Sequence, residues 1–118
     1  MSCVLPTTLG GGTSGDVLKW GSPTTIALVT GVLTLSKPGY YKIDSESGST
    51  DDLTNVTGLA VGDEILIEPV IGKTITIKTG VNMQLASDFI LDSPSDKMEL
   101  VCQATGIMAE AGGRSNNA

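Results

Sequence analysis

The sequence predicts an all-β protein, a compact antiparallel sandwich or barrel-like domain with an extended N-terminal arm. β-Branched residues and threonines dominate the 118 residues, and no stretch has the sustained apolar spacing of a helix. Turn residues recur at roughly eight- to twelve-residue intervals, as in small sandwiches and barrels. One Trp, one Phe and two Tyr leave Val, Ile, Leu and Met to fill the core of this single domain.

Three segments differ in composition: an arm of residues 1–23, a β-domain of residues 24–111 and a polar tail of residues 112–118. Glycines and prolines interrupt the arm, so no periodic pattern persists in it. The arm nevertheless carries more apolar side chains than a linker needs. It either packs back on its own domain or reaches a neighbouring subunit. Its apolar residues include Val4, Leu5, Leu9, Leu18 and Trp20.

The first two predicted strands cover residues 25–29 and 32–35, with a bend at Gly31 between them. The first run is apolar on both faces of the strand. Burial of both faces requires a core or an interface between subunits.

A turn and a solvated loop flank the next predicted strand, residues 40–43. Ser36-Lys37-Pro38-Gly39 has the proline and glycine that a tight turn requires. Residues 44–52 contain no hydrophobic side chain, which is typical of a solvated loop.

The central unit is predicted to be an antiparallel hairpin formed by residues 64–68 and 73–78. Ile65 and Ile67 alternate with other residues in the first strand, and Ile75 and Ile77 alternate with polar residues in the second. The link of residues 69–72 is short enough for a hairpin.

The C-terminal part is predicted to contain three more strands, separated by turns. The last of them places alternate residues on one buried face. These strands cover residues 83–85, 89–91 and 97–103, and the buried face carries Met98, Leu100 and Cys102.

The charge balance favours a protein partner over nucleic acid or membrane. The chain has 13 acidic and 7 basic residues, a formal charge of −6, whereas nucleic-acid binding needs a basic surface. The longest apolar run, residues 26–35, is too short and too rich in threonine to span a bilayer. The N-terminus has no secretory pattern, so we expect synthesis in the cytoplasm.

The residues predict no catalytic site, no metal site and no cofactor. The chain has no histidine, which removes the commonest general base and metal ligand. Cys3 and Cys102 are far apart and have no companion ligands, so we interpret both as reduced thiols and Cys102 as a core residue. The acidic loop of residues 44–52 has oxygen ligands for calcium but lacks the spacing of a calcium loop.

A series of short motifs resembles small tailed-bacteriophage virion proteins and fibre modules. The resemblance extends over residues 31–117. The motifs are Asp44-Ser45-Glu46, Asp51-Asp52-Leu53, Val61-Gly62-Asp63, Thr74-Ile75-Thr76-Ile77-Lys78, Asp88-Phe89-Ile90-Leu91-Asp92-Ser93 and Arg114-Ser115-Asn116-Asn117.

The resemblance implies a homotrimeric, non-enzymatic β-protein of the virion, and the short chain favours a capsid decoration (cement) protein. Such a protein would bind the major capsid protein on the outer surface of the mature shell and stabilise it. We expect the apolar arm residues named above to contact the shell, with Trp20 the strongest contact unless it plugs its own β-domain. Ile26, Leu28 and Val29 are the candidate trimer interface.

Two other functions remain open at this stage. A tail or head fibre module would recognise a host surface receptor through the loops of residues 44–52 and 93–96. A calcium-dependent or enzymatic domain is disfavoured by the absence of histidine.

Overall fold

A computed structural model of the chain describes residues 20–115, with side chains described as far as Gly112. The all-β class is confirmed, with eleven strands in this range. The strands are β1 (Thr24–Ala27), β2 (Val32–Thr34), β3 (Gly39–Asp44), β4 (Thr50–Leu53), β5 (Asn55–Thr57), β6 (Glu64–Pro69), β7 (Thr74–Ile77), β8 (Met83–Gln84), β9 (Phe89–Leu91), β10 (Lys97–Ala104) and β11 (Ile107–Ser115).

The strands wind into a short parallel solenoid that is closed by antiparallel strands, and this architecture differs from the antiparallel sandwich or barrel that the sequence predicts. On one side β1, β3 and β6 are parallel neighbours, on a second side β4 and β7, and on a third side β2 and β5. The chain visits the three sides in turn, so each parallel neighbour lies one winding further along. The antiparallel pairs β9–β7, β10–β6 and β11–β10 then complete the sheets.

The pairing register shows the length of one winding. Gly39 pairs with Ile65 and Thr50 pairs with Thr74, offsets of 26 and 24 residues. The first winding is shorter, since Thr24 pairs with Tyr41, an offset of 17 residues. It is shorter because a tight turn, not a strand, crosses the second side.

The expected hairpin of residues 64–68 and 73–78 is wrong. Both runs are strands, but β6 pairs with β3 and β10, whereas β7 pairs with β4 and β9. The link between them is a corner of the solenoid. Ile65, Ile67, Ile75 and Ile77 all face inward with 0% exposure, because alternation buries one face of a strand whichever strand lies beside it.

The strand boundaries differ from expectation at two polar stretches. Residues 50–52, expected in a solvated loop, form most of β4, because the ladder between β4 and β7 uses backbone groups and tolerates polar side chains. β11 runs to Ser115 and so includes four residues of the stretch expected to be a polar tail.

One continuous core fills the interior of the described chain. Met98, Leu100 and Cys102 face it with 0%, 0% and 2% exposure, which confirms the predicted alternation, and the Cys102 thiol is free. Aliphatic and Met side chains supply most of the packing. The other fully enclosed residues include Leu28, Leu33, Ile43, Leu53, Ile65, Ile67, Ile75, Ile77, Met83, Leu91 and Met108.

The bend predicted at Gly31 is a two-residue turn between β1 and β2. Val29 and Val32 exchange backbone hydrogen bonds of 3.0 and 2.9 Å. Thr30 and Gly31 both have positive φ, 51° and 76°, as a type I′ turn requires. Glycine adopts this conformation readily, whereas a β-branched residue such as Thr30 is strained in it.

Replacing the threonine tests this strain. We expect Thr30→Asn to stabilise the fold by about 1 kcal/mol, because asparagine tolerates left-handed φ. The backbone N–H of residue 30 keeps its hydrogen bond to Glu46 Oε1 in this variant. Urea unfolding measures the change, with Ser47→Asn in an exposed loop as the control. A lower midpoint for Thr30→Asn would show that the threonine is not strained.

Candidate functional site

Four connecting segments lie side by side at one end of the strands of the six-stranded sheet. At this end β1, β3 and β6 finish and β10 begins. Backbone hydrogen bonds of 3.0 Å join Leu28 N to Asp44 O and Val70 N to Ile43 O, and so hold successive segments side by side. We call this surface the loop edge. It comprises residues 28–31, 45–49, 70–73 and 92–96.

A lysine from the next winding organises the acidic loop. Lys73 Nζ lies 3.3 Å from Asp44 Oδ1, 3.1 Å from Ser45 Oγ and 2.8 Å from Gly48 O. The ammonium thus contacts three oxygen atoms of the loop that the sequence offered as a calcium candidate. No group of three or more Asp, Glu, His or Cys residues suited to a metal ion occurs in the part of the chain that the structure describes.

Two further carboxylates of this region bind backbone amides. Glu46 Oε1 accepts a 2.8 Å hydrogen bond from Thr30 N. Asp51 Oδ2 accepts one of 2.7 Å from Glu46 N, and Oδ1 one of 2.8 Å from Asp52 N. These bonds fix the turn and the loop to each other and concentrate negative charge at one end of the loop edge.

The loop between β9 and β10 is fixed by its own hydrogen bonds. Asp92 N donates to Asp96 Oδ2 at 2.9 Å, and Asp96 is fully buried. Lys97 Nζ donates to Pro94 O at 2.7 Å. A hydrogen bond with the Asp96 carboxyl, followed by desolvation and then by the negative charge of Asp96, raises the pKa of the Asp92 carboxyl. The loop therefore presents a defined shape.

Two large apolar side chains stand out from the loop edge. Val29 is 64% exposed and Ile71 is 79% exposed, each at a turn between strands. Val29 and Ile71 therefore offer apolar surface to a binding partner at the loop edge.

A buried polar network lies on the outer face of the large sheet, next to the loop edge. The Tyr40 hydroxyl donates to Glu68 Oε1, and Lys97 Nζ lies 3.0 Å from the same oxygen. Glu68 is only 4% exposed. Burial, followed by the hydrogen bond and the negative charge of Glu68, strongly raises the pKa of Tyr40. The network ties β3, β6 and β10 together.

Both tyrosines should resist ionisation while the protein is folded. Burial also raises the pKa of Tyr41, whose hydroxyl donates to Lys37 O at 2.7 Å. Because the unfolded pKa is near 10, only the folded state keeps the phenols neutral at higher pH, and this contribution to stability is lost as the pH rises above about 10. In an alkaline absorbance titration we expect both tyrosines to ionise together with unfolding. Ionisation of either near pH 10 with the fold intact would contradict this.

No protein family, curated protein or solved structure matches this chain. Within residues 20–115 there is no helix long and apolar enough to cross a membrane.

Of the five residues predicted to contact the capsid, Trp20 is the one that lies in the described part of the chain. Val4, Leu5, Leu9 and Leu18 lie outside the described residues. Trp20 is partly buried and its indole nitrogen is shielded from solvent, as expected if the ring packs against its own chain.

The residues proposed for the trimer interface differ in exposure. Ile26 is half-buried against the core, Leu28 is fully buried within it, and Val29 is exposed. Ile26 and Leu28 therefore find most of their packing inside their own chain. Of the three, Val29 offers the most surface to a second molecule.

Sequence reasoning missed Ile71 and the network of Tyr40, Glu68 and Lys97. Ile71 stands next to Gly72 in a predicted turn, so its exposure could have been inferred. Nothing local marks Glu68 as buried, because its partners are 28 and 29 residues away. The structure does bring together the two loops proposed for receptor recognition, since residues 45–49 and 92–96 both belong to the loop edge.

Proposed function

We propose that the protein is a bacteriophage capsid decoration protein, which binds the major capsid protein on the outer surface of the mature shell as a homotrimer and stabilises it. The motif series of the sequence suggests the class. The observation that carries the proposal is a β-body with one continuous core, which begins at a partly buried Trp20. The 19 preceding residues, which hold most of the apolar arm positions, are thereby attached to a fixed point on that body.

Stabilisation by such a protein follows from mass action. A protein that binds the assembled shell but not its dissociated subunits lowers the free energy of the assembled state. Three copies held together bind with greater avidity than one, so no single contact has to be strong. The role requires no catalysis, cofactor or nucleic acid.

The proposal is tested by copy number in purified particles. We expect quantitative mass spectrometry to find a copy number comparable to that of the major shell protein, as a protein that covers the capsid lattice requires. A copy number limited to a tail or a single vertex would favour a fibre, and absence from particles would contradict both.

The arm contacts are tested by adding variants back to shells that lack the protein. Leu5→Ser combined with Leu9→Ser should weaken shell binding at least tenfold and leave the fold unchanged. Val81→Ser is the control, because it makes the same kind of apolar-to-polar change at a residue of the β-domain that is 79% exposed. Equal binding by both variants would rule out the arm as the contact.

A second candidate function is recognition of a host surface by a fibre module. The loop edge favours it, because two ordered loops and the exposed Val29 and Ile71 lie there together. Ile71→Ser should then abolish binding to host cells, whereas Val81→Ser, altering an equally exposed residue, should not. Loss of shell binding in Ile71→Ser without any cell binding by the unmodified protein would favour decoration through this surface.

A further inference from the structure

Strand β1 is an open edge of the six-stranded sheet. It pairs with β3 on one side only, and no other described residue pairs with it. Leu28 N donates to Asp44 O, and Ala27 is paired with Asp44. In a parallel ladder this register directs the backbone groups of Thr24 and Ile26 towards β3. The N–H and C=O groups of Thr25 and Ala27 therefore point away from the sheet, and both residues are exposed.

The other two sides of the solenoid are blocked at the same end. On the second side, Asp51 Oδ1 binds the Asp52 N–H at the free edge of β4, and Gly31 O binds Thr54 N at 2.8 Å. On the third side, Val32 at the free edge of β2 has both backbone groups bonded to Val29. Proteins commonly block edge strands in this way to prevent pairing with other chains. Among the three edges, that of β1 is the one that residues 20–115 leave open.

We propose that the open edge of β1 pairs with β1 of a second copy of this chain, in antiparallel orientation about a twofold axis. Thr25 then lies opposite Ala27 of the second copy, and Ala27 opposite its Thr25. Each pair exchanges two N–H···O=C bonds, so all four outward groups of each copy are bonded. Ile26 lies on the axis, and the two sheets join into one continuous sheet.

The chemistry of the edge favours a copy of itself as the occupant. Thr-Thr-Ile-Ala has no charge and no proline, so nothing in β1 opposes its own approach. Lys37 precedes β3 and Glu46 follows it, and both are exposed. Antiparallel pairing turns the second copy end for end, so the lysine side of one copy faces the glutamate side of the other.

The twofold pairing uses β1, which contains Ile26 of the expected trimer interface, so a trimer that coexists with it must form through another surface. The twofold and threefold assemblies can be distinguished by mass. Alone, the pairing yields a dimer of 24.2 kDa, twice the chain mass of 12.1 kDa. Combined with a trimer it yields a hexamer. In both cases the assembly contains an even number of copies.

The experiment is sedimentation equilibrium of the full chain over a wide concentration range, with Ala27→Pro and Ala27→Thr as matched variants. Proline removes the outward N–H of residue 27 without touching the bonds between β1 and β3, whereas threonine keeps that donor. We expect the unmodified chain and Ala27→Thr to form the even-numbered species. Ala27→Pro should halve the mass and keep the circular dichroism of the folded chain.

Amide exchange of the unmodified chain provides a second test, which does not depend on the folding of a variant. The Thr25 and Ala27 amides should become protected as the concentration rises and the dimer forms. A monomer or a trimer at every concentration would overturn the proposal, as would equal masses for Ala27→Pro and Ala27→Thr. Protection of both amides in a monomer would assign the edge to the chain's own residues and overturn it too. A trimer that binds shells would leave the decoration function standing.

Discussion

Gly58→Ala should destabilise the protein by about 3 kcal/mol or more. This is the largest effect that we expect of a Gly→Ala substitution among the described glycines. Gly58 follows β5 and has φ of 96°. A Cβ at this position would overlap the carbonyl group of Leu35. The Leu35 backbone cannot move away, because its N–H donates to Thr57 O at 2.9 Å and continues the ladder between β2 and β5. The alanine variant must break this contact between two windings.

Gly62→Ala is the matched control for this prediction. Gly62 has the same φ of 96°, but a Cβ there would meet no atom within 4 Å. Its substitution costs only the left-handed conformation, about 1 kcal/mol. Thermal unfolding should therefore show a fall in Tm of more than about 12 °C for Gly58→Ala and a several-fold smaller fall for Gly62→Ala. Equal shifts would mean that the backbone conformation, and not the contact with Leu35, limits residue 58.

Lys97→Met should destabilise the protein by about 2–3 kcal/mol, because it leaves a buried carboxylate without its cation. Glu68 is 4% exposed and keeps only the Tyr40 hydroxyl as a partner among the contacts described above. The side chain of Lys97 is 25% exposed, so solvent reduces the loss below that of a fully buried pair. Its hydrogen bond to Pro94 O is lost as well, which should loosen the loop before β10.

A double substitution separates the charge from the packing. Glu68→Gln in the Lys97→Met background should recover part of the lost stability, because a neutral amide is easier to bury than an unpaired carboxylate. Lys78→Met is the comparison, since Lys78 and Asp88 form a pair at 3.0 Å with side chains 43% and 42% exposed. In urea unfolding, the free energy lost on Lys78→Met should be much smaller than that lost on Lys97→Met. Additive effects of Glu68→Gln and Lys97→Met would show that the two groups do not interact.

The strands were predictable from the sequence wherever side-chain alternation or turn residues mark them. Polar residues alternate with Ile75 and Ile77, and also with Met98 and Leu100. A strand with one face towards solvent shows this alternation, which is why the pattern predicts it. β4 was missed because the signal is absent there: Thr-Asp-Asp-Leu buries only its leucine fully. Its place in the fold comes from backbone bonds to β7, and sequence patterns do not report those.

The site was less predictable than the fold, since its parts come from distant positions. Lys73 binds the acidic loop across 25 residues to Gly48, and Lys97 reaches Glu68 across 29. Their charges were visible in the sequence, but their partners depend on which windings lie side by side. Residues 45–49 and 92–96 of the loop edge were predicted as a solvated loop and a turn, whereas their proximity follows from the sheet register alone.

The sequence by itself determined the all-β class, most strand positions, the inward faces and the free Cys102 thiol in the core. These properties depend on the period and chemistry of neighbouring residues, which a single strand expresses wherever it packs. The tertiary structure alone decided that β6 and β7 occupy different sides of a solenoid, that Glu68 is buried and that the described strands leave β1 at the edge of its sheet. The physical reason is that strand pairing is made by backbone groups common to all residues, so the choice between a hairpin and a parallel winding is settled by the packing of the whole chain.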